Sequence, residues 1–342
     1  MRMWFPSCPG FCSSLTAAGL VWASVAVAQM PEPSGDLARE LGRLPYKIVY
    51  ETCRPEGNWE LFLVNADGSQ PRNLTRTADL DELYPHVSPD GRKLSLVVDE
   101  GKDGAKSRNV YVMNLDGTGR ELVARNGRDP CWTPSGSGII YLKGESDRYT
   151  VRDFASKGIF LHDLAERTDW RHPNPKIEHL YNICPTLDDK WYVATVHAGM
   201  ELKHAILAIE ARGMQVVNLK IPGCRPDISP DGKKIAWGAD DFTLCVADLD
   251  LSGQQPKVLN RRTVIQSATP TKTYHIDWSP DGKYVAFSRG PIHKRLGAAP
   301  EMVGVKAEGW DICVADASAT NRWTAITHDG LSNKEPDWVP AK

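Results

Sequence analysis

The chain has 342 residues, 41% of them hydrophobic, with 28 glycines, 24 prolines and a formal net charge of -2 at pH 7. A near-neutral charge without a basic run excludes the polycationic surface that displaces counterions from nucleic acid. Such a length ordinarily means two domains or more, but a repeat array occupies it as a single body.

Residues 1–28 read as a signal peptide. Arg2 supplies the positive charge, residues 15–28 are apolar or small, and Ala26-Val27-Ala28 precedes a cut at Gln29. The apolar stretch falls short of the about 20 residues that span a bilayer. The expectation is therefore a mature protein, periplasmic or secreted, with no membrane span. Residues 29–45, rich in proline and charge, form an N-terminal tail or strap, and residues 46–342 the folded body. Cleavage removes Cys8 and Cys12 and leaves Cys53, Cys131, Cys184, Cys224, Cys245 and Cys313 in a compartment that permits disulfides. Their pairing stays open. Cys131 and Cys184 hold matching places in consecutive repeats, so a bridge between them is conceivable if their Cα atoms lie within about 7 Å. Cys245 and Cys313 align with Phe62, Tyr111 and Phe160 and read as packed core thiols.

From residue 84 onward one phrase recurs. Tyr84-Pro85-His86-Val87-Ser88-Pro89-Asp90-Gly91 returns as Asp129-Pro130-Cys131-Trp132-Thr133-Pro134-Ser135-Gly136, then as the degenerate Cys184-Pro185-Thr186-Leu187-Asp188-Asp189. It returns again as Arg225-Pro226-Asp227-Ile228-Ser229-Pro230-Asp231-Gly232, as His275-Ile276-Asp277-Trp278-Ser279-Pro280-Asp281-Gly282, and last as Glu335-Pro336-Asp337-Trp338-Val339-Pro340. The intervals from Pro89 through Pro134, Leu187, Pro230 and Pro280 to Pro340 are 45, 53, 43, 50 and 60 residues, the period of a propeller blade. In the repeat that begins at Tyr84, strands are predicted over 84–88, 93–98, 110–115 and 121–124. The turns between them carry Asp90-Gly91 and Asp116-Gly117, residues suited to positive φ and to bonding nearby amides. The same order recurs over 48–74, 139–168, 192–219, 235–259 and 284–326. The first of these has no phrase before it, and the last phrase has no blade after it. Residues 335–340 are thus expected to complete the first blade and close the ring, which removes an exposed sheet edge. The predicted fold is all-β, a six-bladed β-propeller of four-stranded antiparallel blades.

The Trp278-Ser279-Pro280-Asp281-Gly282-Lys283 phrase and the strand Tyr111-Val112-Met113-Asn114-Leu115-Asp116-Gly117 resemble the PD40, or WD40-like, repeats of TolB-type propellers. The resemblance runs over about residues 46–340. It implies a six-bladed propeller and a partner bound at the mouth of its central tunnel.

Tight turns join the first strand to the second and the third to the fourth in most repeats, so the long insertions all fall on the opposite face: 99–109, 143–157, 166–183, 261–275 and 289–310. Loops on a rigid scaffold are where binding concentrates. The insertion 166–176 pairs cations with Trp170 and rigid prolines and reads as a lid, a protein contact, or a solvated loop anchored by its Trp. Alternation along the innermost strands puts Val87, Trp132, Ile228, Trp278 and Trp338 between blades. It turns Tyr84, His86, Asp129, Cys131, Asn182, Cys184, Arg225, Asp227, His275, Asp277, Glu335 and Asp337 toward the axis. The polar members, Tyr84, His86, Asp129, Asn182, Arg225, Asp227, His275, Asp277, Glu335 and Asp337, are the candidate ligand-binding residues, since such groups need water, one another or a ligand. Asp227, Asp277 and Asp337 also suit hydrogen bonds that fasten neighbouring blades. His86, Asp129, Arg225, His275 and Glu335 are expected nearest the ligand.

No Gly-x-Ser-x-Gly elbow, phosphate loop or complete calcium loop occurs. The expected function is non-catalytic recognition of an envelope protein segment or a saccharide at the loop-rich face, by a monomer without a cofactor. The alternative is a metal-assisted lyase or hydrolase acting on acidic carbohydrate. There His86 and His275 with Asp277 or Asp337 would hold a divalent metal, and Arg225 would receive a carboxylate.

Overall fold

The computed structural model describes residues 33–101, 105–293 and 299–341, so the signal-peptide reading of residues 1–28 lies outside the described residues. After a short helix, α1 (Gly35–Leu41), come twenty-four strands. The first blade takes β1 (Lys47–Cys53), β2 (Trp59–Asn65) and β3 (Arg72–Asn73). The second takes β4 (Asp81–Val87), β5 (Lys93–Glu100), β6 (Ser107–Asn114) and β7 (Glu121–Ala124), and the third β8 (Gly127–Trp132), β9 (Gly138–Gly144), β10 (Ser156–Asp163) and β11 (Thr168–Arg171). The fourth holds β12 (Leu180–Pro185), β13 (Trp191–Gly199), β14 (Leu202–Glu210) and β15 (Val216–Asn218). The fifth holds β16 (Cys224–Ile228), β17 (Lys234–Gly238), β18 (Thr243–Asp250) and β19 (Lys257–Gln266). The sixth holds β20 (Thr271–Trp278), β21 (Tyr284–Pro291), β22 (Asp311–Asp316) and β23 (Trp323–Ala325). The last strand, β24 (Ser332–Val339), returns to the first blade, whose order is β24-β1-β2-β3. Six four-stranded antiparallel sheets result, closed by the C-terminal strand as the truncated phrase predicts.

The repeated phrase is the chemistry of one turn. Ser88 Oγ donates to Asp90 Oδ1 at 2.6 Å and accepts from the Lys93 amide at 2.9 Å, while Gly91 takes a φ of +68° that a side chain would strain. Ser229 with Asp231 (2.6 Å) and Ser279 with Asp281 (2.7 Å) repeat the bond, and in the degenerate copy Thr186 with Asp188 (2.7 Å) supplies it without the glycine. At the other turn Gly117 (φ +93°) lies so near Leu74 that an added Cβ would fall 2.1 Å from its carbonyl oxygen. The outer turn of one blade is in this way pressed onto the end of the blade before it.

Apolar faces of adjacent sheets form the core. One cluster joins Ile48, Tyr50 and Val64 of the first blade to Ala286, Ile312, Val314 and Ile326 of the sixth across the closure seam. The helix α1 lies on this seam. Its Leu37 and Leu41, one turn apart, are fully buried in the same cluster, the Ser34 amide bonds the Trp323 carbonyl at 2.7 Å, and Asp36 pairs with Arg322. Residues 33–45 are therefore fastened to the ring rather than trailing from it.

Two insertions differ from the sequence reading. Of 261–275, residues 261–266 belong to β19, which pairs with β18 through two register shifts, and residues 271–275 to β20. In 166–176, Thr168–Arg171 is the outer strand β11, and beyond it His172 Nε2 meets the Glu210 carbonyl at 2.8 Å while Asn174 donates to Met214 O at 3.2 Å. That segment staples the third blade to the fourth, and Trp170 carries Arg212 over its ring at 4.6 Å.

Candidate functional site

All six innermost strands carry the same irregularity. In β4 the register passes from Leu83↔Val97 to His86↔Ser95, so Tyr84 and Pro85 together oppose Leu96. Equivalent bulges fall at Asp129-Pro130, Asn182-Ile183, Arg225-Pro226, His275-Ile276 and Glu335-Pro336. The first residue of each bulge is left-handed, with φ between +47° at Asp129 and +57° at His275. Proline fits the second place because the ladder needs no donor there. Bulges re-aim side chains, and here the freed amides bond a neighbouring blade: Tyr84 N donates to Glu51 Oε2 at 2.8 Å and Arg225 N to Thr195 Oγ1 at 2.9 Å.

Two rings follow. The bulged residues Tyr84, Asp129, Asn182, Arg225, His275 and Glu335 form one, all buried except the half-buried Asn182. Arg225 is its hub. Its Nη1 donates to Asn182 Oδ1 (2.8 Å) and Glu335 Oε1 (3.2 Å), and its Nη2 to Asp153 Oδ2 (2.6 Å) and Glu301 O (3.0 Å). His275 Nε2 lies 3.0 Å from Glu335 Oε1 and 2.8 Å from Glu301 O. Beside them the fully buried Lys334 donates from Nζ to the carbonyls of Pro300, Met302 and Val305 at 3.2, 2.6 and 2.9 Å, and lies 3.8 Å from Glu51. Burial works against ionised Glu335, yet His275 and Arg225 hold it down to about 2, while burial pushes Glu51 up to about 8 and Asp129 to about 7.

Asp153 comes from the loop between β9 and β10, and Glu301, Pro300, Met302 and Val305 from the loop between β21 and β22. The two insertions thus reach over this ring at the loop-rich face, where Asp153, Tyr181, Arg225, Tyr274 and Glu301 also line a cavity of about 290 Å³. Of the residues expected nearest a ligand, Asp129, Arg225, His275 and Glu335 lie in this buried ring, where Arg225 and His275 bond Glu335 and the loop carrying Glu301, and His86 lies in the other ring. No sequence signal marks Asp153, Glu301 or Lys334 for this role, since their partners lie far away along the chain.

The second ring, His86, Cys131, Cys184, Asp227, Asp277 and Asp337, lines an open cavity of about 460 Å³ at the opposite face, among the short turns. Trp132, Trp278 and Trp338 wall it, and Pro89, Pro134, Pro230, Pro280 and Pro340 form its rim. Asp227 Oδ2 accepts from the Trp278 amide and Asp277 Oδ2 from the Trp338 amide, each at 2.9 Å, so these aspartates fasten neighbouring blades as their positions suggest. His86 Nδ1 meets Asp337 Oδ2 at 2.8 Å. The three carboxylates crowd together. Burial, and then repulsion from Asp337, pushes Asp227 up to about 6; burial with Asp337 and Asp227 raises Asp277 further, and burial raises Asp337 although His86 opposes it. Burial opposes a charged His86 ring, but Asp337 raises its pKa overall.

All six described cysteines are free thiols, Cys131 and Cys184 included. Cys245 and Cys313 are buried in the core. Among the described residues no group of three or more His, Cys, Asp or Glu side chains is disposed to hold a metal ion, and His86 and His275 belong to different rings. No described helix is long and apolar enough to cross a membrane.

No protein-family model matches this sequence, and no curated protein matches it. Solved structures do resemble it. TolB from Acinetobacter baumannii aligns with a TM-score of 0.60 at 20% identity, over 86% of this chain and 66% of that one. Hydrazine synthase of Kuenenia stuttgartiensis gives 0.59 at 13%, over 90% and 48%, and a chain of a nidogen/laminin complex gives 0.56 at 9%, over 87% and 99%. The chain spans less than two thirds of TolB and less than half of the hydrazine synthase chain. The likeness is one of fold, that of a six-bladed propeller.

Proposed function

We propose that the protein is an exported, non-catalytic binding protein, and that the open cavity among the short turns receives a cationic group of a polypeptide segment from an envelope partner. The observation that carries this reading is the grouping of Asp227, Asp277 and Asp337 at the base of a cavity walled by tryptophans, with one imidazole to balance them. A protonated amine or guanidinium relieves the repulsion among crowded, desolvated carboxylates, and indole and proline surfaces accept the apolar stem that carries it. A neutral saccharide relieves none of that repulsion, so the protein segment is favoured.

A short peptide, Leu-Arg-Leu with capped ends, tests this against its citrulline counterpart by calorimetry. The arginine peptide is expected to bind, and the citrulline peptide to bind about tenfold or more weakly. Asp227→Asn keeps an oxygen for the Trp278 amide but removes the charge that Asp227 carries above about pH 6, and should cost a similar factor at pH 7.5. Equal binding of the two peptides, or an unchanged affinity in Asp227→Asn, rejects the reading.

The affinity should also depend on pH. The raised Asp227, at about 6, is neutral below that value and charged above it. His86 loses its positive charge as pH rises, so both groups act in the same direction. Binding of the arginine peptide is expected to strengthen steadily from pH 5 to about 7.5. A flat profile, or one falling over that interval, contradicts the assignment.

Export rests on the signal-like sequence ahead of Gln29. Expression in a bacterial host should yield, from the periplasmic or culture fraction, a chain whose mass corresponds to a first residue at Gln29; an intact Met1 would overturn it.

A further inference from the structure

Away from the axis, the loop between β9 and β10 folds over the third blade and encloses another cavity, of about 410 Å³, lined in part by Arg128, Glu145, Arg148, Tyr149, Thr150 and Arg152. It opens on the loop-rich face, opposite the aspartate-floored cavity. Three arginines line it and, among the described residues, one acidic residue, Glu145, which faces His179 Nε2 at 3.4 Å.

Arg128 is the informative member. It projects from β8 and is 2% exposed; its Nη1 donates to the Arg152 carbonyl at 2.7 Å, and its buried Nε has no partner among the described residues. Asp129, Asp153 and Asp99 attract it, but none of them forms an ion pair with it. Asp99 is bound by both Nε and Nη2 of Arg108 at 2.8 and 2.9 Å, and Asp153 Oδ2 by Arg225 at 2.6 Å. Asp129, its neighbour in β8, is pushed up to about 7 by burial and by Asp153, which makes it a weak counter-charge. Burial, with the like charge of Arg108 added, pulls Arg128 below the usual guanidinium value. Arg148 and Arg152 are exposed at the rim, and among the described residues neither side chain is ion-paired. The Thr150 hydroxyl oxygen accepts from the Arg152 amide at 3.2 Å, which leaves its proton free to donate.

A buried guanidinium without a carboxylate is costly, and its planar fork matches the paired oxygens of carboxylates and phosphates. We propose that this pocket binds the oxyanion of a small acidic molecule, a carboxylate or a phosphate, with Arg128 at its base, Arg148 and Arg152 at its rim and the Thr150 hydroxyl as a further donor. The site is separate from the aspartate cavity and opposite to it in charge.

Calorimetry of the full mature chain at constant ionic strength tests the assignment with three probes: inorganic phosphate, D-galacturonate and neutral D-galactose. At least one anion is expected to bind saturably and galactose not to. Arg148→Ala/Arg152→Ala, which alters only exposed side chains, should weaken that anion about tenfold or more while leaving the melting temperature unchanged. Binding of phosphate alone assigns a phosphoryl ligand, of galacturonate alone a carboxylate, and of both a general oxyanion site. Absence of binding by either anion, galactose binding as well as galacturonate, or an undiminished affinity in the double variant overturns the proposal.

Discussion

A chain that stops at residue 331 is expected to lose cooperative folding altogether. The missing strand, β24, is buried along its whole length and pairs with β1 from Lys47↔Val339 to Cys53↔Ser332, so its removal bares the inner edge of the first blade. It also removes Trp338 from the seam cluster and Lys334 and Glu335 from the sealed ring, which leaves Glu51, Arg225 and His275 short of partners. An open sheet edge beside unpaired buried charge favours aggregation over a shortened ring. Near-UV circular dichroism with urea unfolding reads the result. A native-like spectrum with a single sharp transition in the truncated chain would show that closure is not what stabilises the ring. Trp338→Ala is the milder form of the test and should cost roughly 3–5 kcal/mol.

Arg225→Ala is the second large effect, with an expected loss of roughly 3–5 kcal/mol, because removing one partner of a buried ionic cluster strands the others. The side chain is 4% exposed and holds Asn182, Glu335, Asp153 and the Glu301 carbonyl at once. Without it Asp153 loses its ion-pair partner, and Glu335 keeps the imidazole beside it and the more distant Lys334. Arg225→Lys restores the charge but not the fork, so partial recovery is expected. The acid limb carries a second readout. Glu335 has a folded value of about 2, below its ordinary 4.5, so its contribution is complete above that ordinary value and fades as pH falls toward 2. In Arg225→Ala the folded value should rise and the wild-type stability advantage should shrink between pH 5 and 2. A loss below about 1 kcal/mol, the range of a surface pair, would mean that the ring is hydrated rather than sealed.

The aspartate cavity and the sealed ring show how far the recurring phrase could be read. Its positions bring all ten candidate residues to the inner strands, and the blade-fastening role expected of Asp227 and Asp277 there is met by their bonds from the Trp278 and Trp338 amides of the next blade. What escaped was the division of the ten into two rings with opposite fates. Simple alternation treats Tyr84 and His86, or Glu335 and Asp337, as neighbours on one face. The bulge between the members of each pair, with its left-handed first residue, separates a layer covered by loops from a layer that faces a cavity.

The sequence by itself determined the four-strand order and the turn chemistry, because these depend on contacts local to one repeat: side-chain alternation, Ser with Asp across two residues, and glycine at positive φ. The blade count and the closure by β24 were legible from the number of phrases and from the first blade and the last phrase each lacking its counterpart. Only the tertiary structure decided how the members of each polar ring are partnered. Arg225 meets Asp153 and Glu301 from 72 and 76 residues away, through loops that share no pattern with the repeat. Whether a polar ring is satisfied internally or waits for a ligand depends on which long loops fold over it. Loop-closure entropy leaves that choice to contacts of the assembled ring, which no short stretch of chain encodes.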